Sequence, residues 1–372
     1  ILKQMSQLFK KQNMKKKSLS VKKIAHNTIN NYLLDKKILK TYNIFKKNIA
    51  NKKFGKIIAG AISGGPDSLA LAFLMKVYSL ENSLKLKFIH INHKLRLNST
   101  KEAVKLKKNM NTFNAKIIII NWNGKKPTSN IQAIARKNRY KLIFEYSIKN
   151  KVDSVFFAHN KNDLVENFLI RIMRGSGLSG FVSFNSISNR YENNLNIFRP
   201  LLNINKEDLI YISKKVFKNY LNDPSNENIK FKRVRVRKIL NNLNDEGFNL
   251  EKIILTINNL TSSNQAIKYY TEENIKLNSS NLSKNSIIVN NDFFNKPDDV
   301  VIRSITTIIK KVNKKYYAPR GKQIINLVIS LKSSKIKKLT LSGCVIEKIN
   351  SSVIFYPEIT KKSPKKYNLP LV

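Results

Sequence analysis

Two hydroxyls, two glycines, a proline and a carboxylate stand together in Ser63-Gly64-Gly65-Pro66-Asp67-Ser68. Such a set suits the binding of a phosphate. The glycines let the backbone turn tightly and approach a ligand with no Cβ in the way. Pro66 fits the first turn of a helix, where a missing N–H costs nothing. Asp67 and Ser68 then fall in that turn, whose free N–H groups and dipole form an anion site. The stretch needs a strand before it and a helix after it. Lys56 to Ile62 reads as a short buried parallel strand, and Asp67 onward as helix. An ordinary glycine turn between strand and helix is the plain alternative.

The Walker A pattern puts a Lys-Ser/Thr pair after its final glycine; here Pro-Asp-Ser follows. The dinucleotide fingerprint wants three spaced glycines, and they are lacking. Ser-Gly-Gly-x-Asp-Ser resembles the PP-loop of ATP pyrophosphatases, matching it at Ser63, Gly64, Gly65, Asp67 and Ser68. The resemblance implies a grip on pyrophosphate and transfer of AMP to an oxygen, which activates that oxygen for displacement.

Further charged sets lie downstream. Asp163 and Glu166 are three apart on what reads as the first turn of a helix, with Asn162 as its cap. Two carboxylates facing one way can hold Mg²⁺ or a substrate ammonium; acidic residues also favour a helix N-terminus with no ligand at all. Arg136 and Arg139 share one face of a helix at 130–149. Two guanidiniums there suit bidentate phosphate contacts or a salt-bridged surface. Ile91 to Ser99 is polar and basic, placed to touch a nucleotide or merely to cap the helix that Ser99 opens. Arg171-Ile-Met-Arg174-Gly-Ser-Gly177 ends a helix on a glycine and leads into a basic loop. Arg233, Arg235 and Arg237 alternate with Val234 and Val236.

The elements that must position these residues follow from hydrophobic periodicity. Strands are expected at 56–62, 86–91, 116–121 and 153–158, and helices at 67–80, 99–113, 130–149 and 162–174. This alternation predicts a parallel sheet covered on both faces. Right-handed crossovers put the strand C-terminal ends along one edge, where ligands bind. A fifth short strand is expected at Phe198 to Leu202, a helix from about Asn205 to Phe217, and a turn at Asn222 to Asn226. Beyond 240 an Asn/Lys-rich helical linker is expected to about 292, with an amphipathic stretch near Leu250 to Tyr270. Helices are then expected at 299–312 and 320–332. Leu339-Thr-Leu, Cys344 to Ile349 and Ser352 to Tyr356 alternate like a small antiparallel sheet turning at Asn350-Ser351. Four segments result: a basic N-terminal extension at 1–53, an ATP-binding catalytic domain at 54–240, a helical linker domain at 241–292, and a small α+β C-terminal domain at 293–372.

A chain of 372 residues holds two or three domains, and its 42% hydrophobic content excludes a disordered protein. The formal net charge is +47, which points to a polyanionic partner, most simply nucleic acid. A bias to Lys, Asn and Ile, as an AT-rich genome yields, puts part of that charge on solvated faces. The Lys clusters of residues 1–53 read as a helical or partly ordered arm, RNA-contacting or merely solvated. Cys344 is the one cysteine, so a disulfide framework, a Cys-x-x-Cys pair and an iron–sulfur site are excluded within this chain. His26, His90, His93 and His159 lack zinc-ligand spacing. A reducing compartment is expected. Apolar runs such as Ile117 to Ile120 are too short to span a bilayer. Residues 1–25 lack the apolar core of a secretory signal. They leave an organellar transit peptide open, though they are Lys-rich rather than Arg-rich, and Ile1 leaves the true start open.

In order, these stretches resemble bacterial tRNA(Ile)-lysidine synthase. The resemblance runs through Ser63 to Ser68, Asn92-His93 with Leu95-Arg96, Ala135-Arg136 with Arg139-Tyr140, Ala158-His159, Asn162-Asp163, Glu166 and Arg174-Gly-Ser-Gly177. It continues through Arg199-Pro-Leu-Leu202, Asp223-Pro-Ser-Asn226 and Arg233 to Arg237, covering about 54–240 well and the remainder more loosely. The implied fold class is α/β: a parallel-sheet PP-loop core, adenine nucleotide alpha hydrolase-like, with a helical linker and a small α+β C-terminal domain. The implied enzyme is a ligase that forms a carbon–nitrogen bond, with ATP and Mg²⁺ as cofactors. ATP adenylates the C2 oxygen of the wobble cytidine in an isoleucine tRNA with a CAU anticodon, releasing pyrophosphate. Free L-lysine then displaces AMP, giving lysidine.

Roles follow by the same resemblance. Ser63, Gly64, Gly65, Pro66, Asp67 and Ser68 would hold ATP, with Asp67 near Mg²⁺. Asp67, Arg139, Asp163 and Glu166 would shape the reaction site, one carboxylate receiving the lysine ammonium. Arg136, Arg174, Arg233, Arg235 and Arg237 would hold tRNA or phosphate, and a compact C-terminal domain would grip the acceptor stem. A cytoplasmic enzyme with no membrane partner is implied, and a homodimer is left open. Asn92 departs from a frequent Asp, Lys94 from a frequent Gly, Asn160 from a second His and Asn162 from an Asp. The asparagines weaken any general-base role at their positions; none of the departures touches the PP-loop. The rival readings are a PP-loop enzyme of the 2-thiocytidine synthetase type, which a single cysteine argues against, and a non-catalytic nucleotide- or RNA-binding protein.

Overall fold

The computed structural model describes residues 29, 31–125, 127–129, 131–184, 188–190, 195–221, 228–247, 249–313, 319–333 and 337–358. The basic arm at 1–28 and the turn at Asn222 to Asn226 lie outside the described residues. The chain divides into two units, Ile1–Ile257 and Asn258–Val372.

In the first unit, helix α1 (Lys36–Ile49) precedes the sheet. Asp35 caps it, accepting from the N–H of Lys37 at 3.0 Å and of Ile38 at 3.2 Å. Ile38, Tyr42, Phe45 and Ile49 recur at helical spacing and are all buried. Burying each such side chain is worth about 1.5–3 kcal/mol. Residues 36–49 are therefore core on one face, and only their lysines make the other face basic.

Strand β1 (Ile57–Ala61), helix α2 (Pro66–Glu81), β2 (Lys85–Asn92), α3 (Ser99–Thr112), β3 (Ile117–Asn121), α4 (Ile131–Lys149), β4 (Ser154–Phe157) and α5 (Lys161–Ile172) alternate as the periodicity predicts. They are followed by α6 (Leu178–Val182), β5 (Ser188–Arg190), β6 (Asn196–Phe198), α7 (Lys206–Phe217) and α8 (Lys232–Asp245). The boundary between the units falls inside α9 (Leu250–Asn278).

The sheet order is β3-β2-β1-β4-β6-β5, with five parallel strands and β5 antiparallel at the edge. Ala59 on β1 stands opposite Lys87 on one side and Val155 on the other. A strand with neighbours on both sides and cover on both faces is apolar throughout, as Ile57-Ile-Ala-Gly-Ala is. Helix α2 is buried nearly all round, from Leu69 to Met75, and packs against α1 and α7. From β1 the chain steps outward to β2 and β3, then returns to β4 on the other side of β1. That reversal opens a crevice at the C-terminal ends of β1 and β4.

The fifth parallel strand ends at Phe198, earlier than expected. Beyond it the chain turns, with Ile204 N–H donating to the Leu201 carbonyl at 2.9 Å. Pro200 has no N–H to give a ladder, so the strand cannot continue through it.

The second unit contains β7 (Ser279–Ser283), β8 (Ser286–Val289), a 3-10 turn at Asn291–Asn295, α10 (Asp298–Asn313), α11 (Gly321–Lys332), β9 (Lys338–Leu341), β10 (Cys344–Ile349) and β11 (Ser352–Pro357). Its sheet runs β7-β8-β11-β10-β9, antiparallel throughout. Val301, Ile305 and Ile308 of α10 and Leu327 and Leu331 of α11 share a core with Ile346, Val353 and Phe355. Strands β7 and β8 stand where the sequence reading has helix. Ser279-Ser-Asn-Leu-Ser is polar and carries no alternation, so its pairing with β8 is what makes it a strand. Among the described residues no helix is long and apolar enough to cross a membrane.

Candidate active site

The loop after β1 is closed by one side chain. Ser68 Oγ accepts from the N–H of Ser63 at 3.2 Å and of Gly64 at 3.0 Å, and from the Ser63 hydroxyl at 3.2 Å. It donates to the Gly65 carbonyl at 2.9 Å. Gly64 has φ +97, where side chains are strained. A Cβ there would lie 2.5 Å from Leu221 Cδ1, and Leu221 N–H donates to the Gly64 carbonyl at 2.9 Å. Gly65 differs. It is extended and a Cβ would meet nothing nearer than Ser63 Oγ at 3.8 Å. Its lack of a side chain therefore leaves room at the loop rather than relieving strain. Pro66 opens α2 as expected.

Asp67 sits in the first turn of α2 with Oδ1 buried and without a hydrogen-bond partner. Its carboxyl is pushed up to about 6, first by burial and then by the negative charge of Asp163; Lys206, an Asn160 hydrogen bond and Arg237 pull the other way. A dry carboxylate oxygen is costly, and a cation would satisfy it. Among the described residues no three His, Cys, Asp or Glu side chains cluster as a metal cage. Mg²⁺ needs less, one or two carboxylates completed by phosphates and water. Asp67, with its unpartnered Oδ1, fits that requirement.

Across the crevice, β4 runs into α5. Asn160, not Asn162, caps the helix. Its Oδ1 accepts from Asp163 N–H at 3.0 Å, and Asp163 Oδ2 accepts from Asn160 N–H at 3.1 Å. Glu166, one turn on, is buried. Both of its oxygens are taken by α8. Arg233 Nε lies 3.0 Å from Oε2, Arg237 Nη2 donates to Oε2 at 3.3 Å, and Arg237 Nε donates to Oε1. Arg233 Nη2 also reaches Asp163 Oδ1 at 3.3 Å. Arg237 is held protonated: burial works against its charge, but Glu166, Asp163 and Asp67 outweigh it.

Because α8 is a helix, Arg233 and Arg237 share a face and Arg235 does not. Arg235 is exposed and donates to the carbonyls of Ile229 at 3.0 Å and Lys230 at 2.9 Å. Arg174 is exposed at the end of α5, where Gly175 takes φ +63 to close the helix. Arg136 is exposed and stacks over Tyr140, its guanidinium 5.2 Å from the ring centre. The charge of Arg139 reaches His90, His93 and His159. Burial, then Arg139 and His90, push His93 down to about 4. Burial and four arginines hold His159 well below its usual value. Both imidazoles are neutral at pH 7 and weak as bases.

A family model described as a PP-loop domain matches residues 35–243. The tRNA(Ile)-lysidine synthase of Wolbachia pipientis wMel is 32% identical over 333 residues, 87% of this chain and 76% of that protein. The chain belongs to the tRNA(Ile)-lysidine synthase family. The lysidine synthase of Orientia tsutsugamushi (strain Boryong) is 31% identical over 323 residues, 83% of this chain and 71% of that protein. Among solved structures, the U34-tRNA thiolase of Methanococcus maripaludis superposes with a TM-score of 0.50 at 20% identity, over 60% of this chain and 78% of that one. That likeness is one of fold. The chain is thus a PP-loop enzyme of tRNA modification.

Near the site, Asn160 and Arg199 enter the sequence reading only through the family resemblance, with no role of their own, and Lys206 does not enter it at all. Asn160 supplies the cap and helps to lower the Asp67 carboxyl; the Asn-x-x-Asp spacing is a capping-box signal that could have found it. Lys206, at the start of α7, places a positive charge within reach of Asp67; no local pattern marks it. Arg199 is buried with its guanidinium 5.2 Å from the Phe184 ring centre; a buried arginine looks no different from a surface one in sequence. Asn92, where the family resemblance suggests Asp, is buried. It donates to Thr100 at 3.2 Å and Asn121 at 3.1 Å and accepts from Lys94 N–H at 3.1 Å. An aspartate could not make the two donations.

Proposed function

We propose that this chain makes lysidine, joining free lysine to C2 of the wobble cytidine in an isoleucine tRNA with a CAU anticodon. First the cytidine C2 oxygen attacks the α-phosphorus of ATP, and pyrophosphate leaves. Then the ε-amine of lysine attacks C2; the C–O bond breaks, AMP leaves with that oxygen, and the amine gives up a proton.

The loop N–H groups between Ser63 and Ser68, with the N-terminus of α2, hold the ATP phosphates and steady the departing pyrophosphate. Asp67 would hold Mg²⁺, which when bound would neutralise phosphate charge. Asp163 and Glu166 receive the ammonium of lysine, and Arg139 adds positive charge at the crevice. Arg136, Arg174, Arg233, Arg235 and Arg237 hold RNA phosphates. ATP, lysine and tRNA meet in the cytoplasm, where we place the reaction.

The observation that carries this reading is that the phosphate loop follows β1, Asp163 follows its neighbour β4, and the charge of Asp163 acts on the buried Asp67. A phosphate cradle beside a carboxylate pair is what a reaction between a nucleotide and an amine requires, and this supports the reading. A sulfur-inserting reading lacks a usable thiol: Cys344, the one cysteine, is buried, and burial pushes it up to about 12. The test is incubation with ATP, radiolabelled lysine and the CAU-anticodon isoleucine transcript. ATP-dependent transfer of label to RNA is expected; no transfer sinks the reading.

A further inference from the structure

The carboxylates assigned above to lysine are already occupied by cations. The Glu166 side chain is only 3% exposed, and both oxygens are engaged by guanidiniums. Asp163 shares Arg233 and caps α5 with its other oxygen. Two acids facing two arginines form a neutral, largely buried set. An ammonium added to it would bring an uncompensated buried charge, which is disfavoured. Lysine can therefore bind well only after a guanidinium has moved away.

What can draw the arginines off is visible in their surroundings. Arg233 and Arg237 are about one-third exposed, unlike Glu166, so an outside anion can reach them. They stand on a helix whose other surface residues include Arg235 and Lys238, preceded by Lys230. Such a ridge attracts a phosphodiester backbone, and a phosphate accepts a guanidinium bidentately as well as a carboxylate does. We propose that Arg233 and Arg237 form a latch on the lysine site, released when RNA phosphates take their guanidiniums, so that lysine binds after RNA. The proposal rests on the assignment of Asp163 and Glu166 to lysine. It adds an order of binding to that assignment. It also keeps the nucleophile away until an acceptor base is seated.

A closed latch lowers apparent affinity by the fraction of molecules that are open. If about one molecule in ten or fewer is open, lysine binds at least about tenfold more weakly to the free chain than to the RNA complex. The experiment is calorimetric titration of L-lysine into the full-length protein, alone and saturated with an RNA hairpin bearing the CAU anticodon. We expect at least a tenfold gain in lysine affinity with the hairpin. Arg237→Gln should bind lysine without RNA about as tightly as the wild-type complex, and the gain should shrink; Arg233→Gln should shift the same way. Equal lysine affinity with and without RNA in the wild type, which needs no variant to fold, overturns the latch. So does an arginine variant that is folded by circular dichroism but unchanged in lysine affinity. Glu166→Gln separates the two ideas. Loss of lysine binding there, with no effect of the arginine variants, removes the latch alone; unchanged lysine binding removes the assignment on which it rests.

Discussion

The phosphate loop and the carboxylate–arginine cluster face one crevice and are built in opposite ways. The loop is one run of six residues, shaped by backbone conformation: a left-handed Gly64, a proline at the helix start and a hydroxyl gathering two N–H groups. The cluster is made wholly of side chains, and its two halves lie 71 residues apart along the chain. A site made of backbone can break only where a residue changes the path of the chain. A site made of charges can break, or switch, without any change of path. The loop is thus suited to the chemistry common to every turnover, and the cluster to the part that must answer to the presence of a particular substrate.

The largest effects expected fall on the loop. Asp67→Ala should cut tRNA-dependent ATP–pyrophosphate exchange by about 10²–10³-fold, the scale seen when one transition-state charge stabiliser is lost. Retention of exchange would remove Asp67 from the nucleotide site and the contrast with it. Glu166→Gln should act later in the sequence, raising the KM for lysine by about 10–100-fold while exchange persists. If both fall together, the two regions are one functional unit and the distinction fails.

Stability variants sharpen the same contrast. Gly64→Ala should cost about 1–3 kcal/mol in denaturant unfolding, because a side chain at positive φ is strained. Gly65→Ala should leave stability nearly unchanged while weakening ATP binding. Equal destabilisation would mean that both glycines serve conformation alone. Asp67→Asn tests burial. The folded-state value near 6 lies above the unfolded 3.8, so the native chain binds the extra proton between those values and loses stability as pH rises through that window. Above pH 7 the nucleotide-free Asn variant should be more stable by up to about 3 kcal/mol, and its stability should vary less between pH 4 and 6. A wild-type protein equally stable at pH 4 and pH 7 in this comparison would contradict the burial of Asp67. The smallest effect is expected for Arg235→Gln. Its hydrogen bonds go to exposed carbonyls, so stability should move by less than about 0.5 kcal/mol. The salt slope of tRNA binding should fall by about one, with lysine KM unchanged; a change in lysine KM would place Arg235 with its neighbours on the latch.

This difference in construction also decides what could be read before folding. The four β–α units and the loop were legible because their signals are local: Ile57-Ile-Ala-Gly-Ala for a doubly covered strand, Gly-Gly-Pro for the turn. Asp163 and Glu166 were legible as a pair for the same reason. Their pairing with Arg233 and Arg237 was not, since nothing local states which of many arginines a carboxylate will meet. The alternation Arg-Val-Arg-Val-Arg even suggests a period of two, whereas the helix puts the first and last arginines together and turns the middle one outward. Strand β7 leaves no local signal for a related reason: its polar sequence becomes a strand only through its neighbour. Residues 36–49 carried a lysine signal that masked an apolar stripe, and counting charge hid the periodicity of Ile38, Tyr42, Phe45 and Ile49.

Ser68 has a consequence for how a phosphate enters the loop. Its hydroxyl already occupies the converging N–H groups of Ser63 and Gly64. It is a neutral place-holder for the anion. With it in position those two N–H groups converge on one point and are satisfied within the loop. A phosphate entering there trades places with one rotatable hydroxyl instead of ordering a slack loop, and the entropy of organising the seat has been spent during folding.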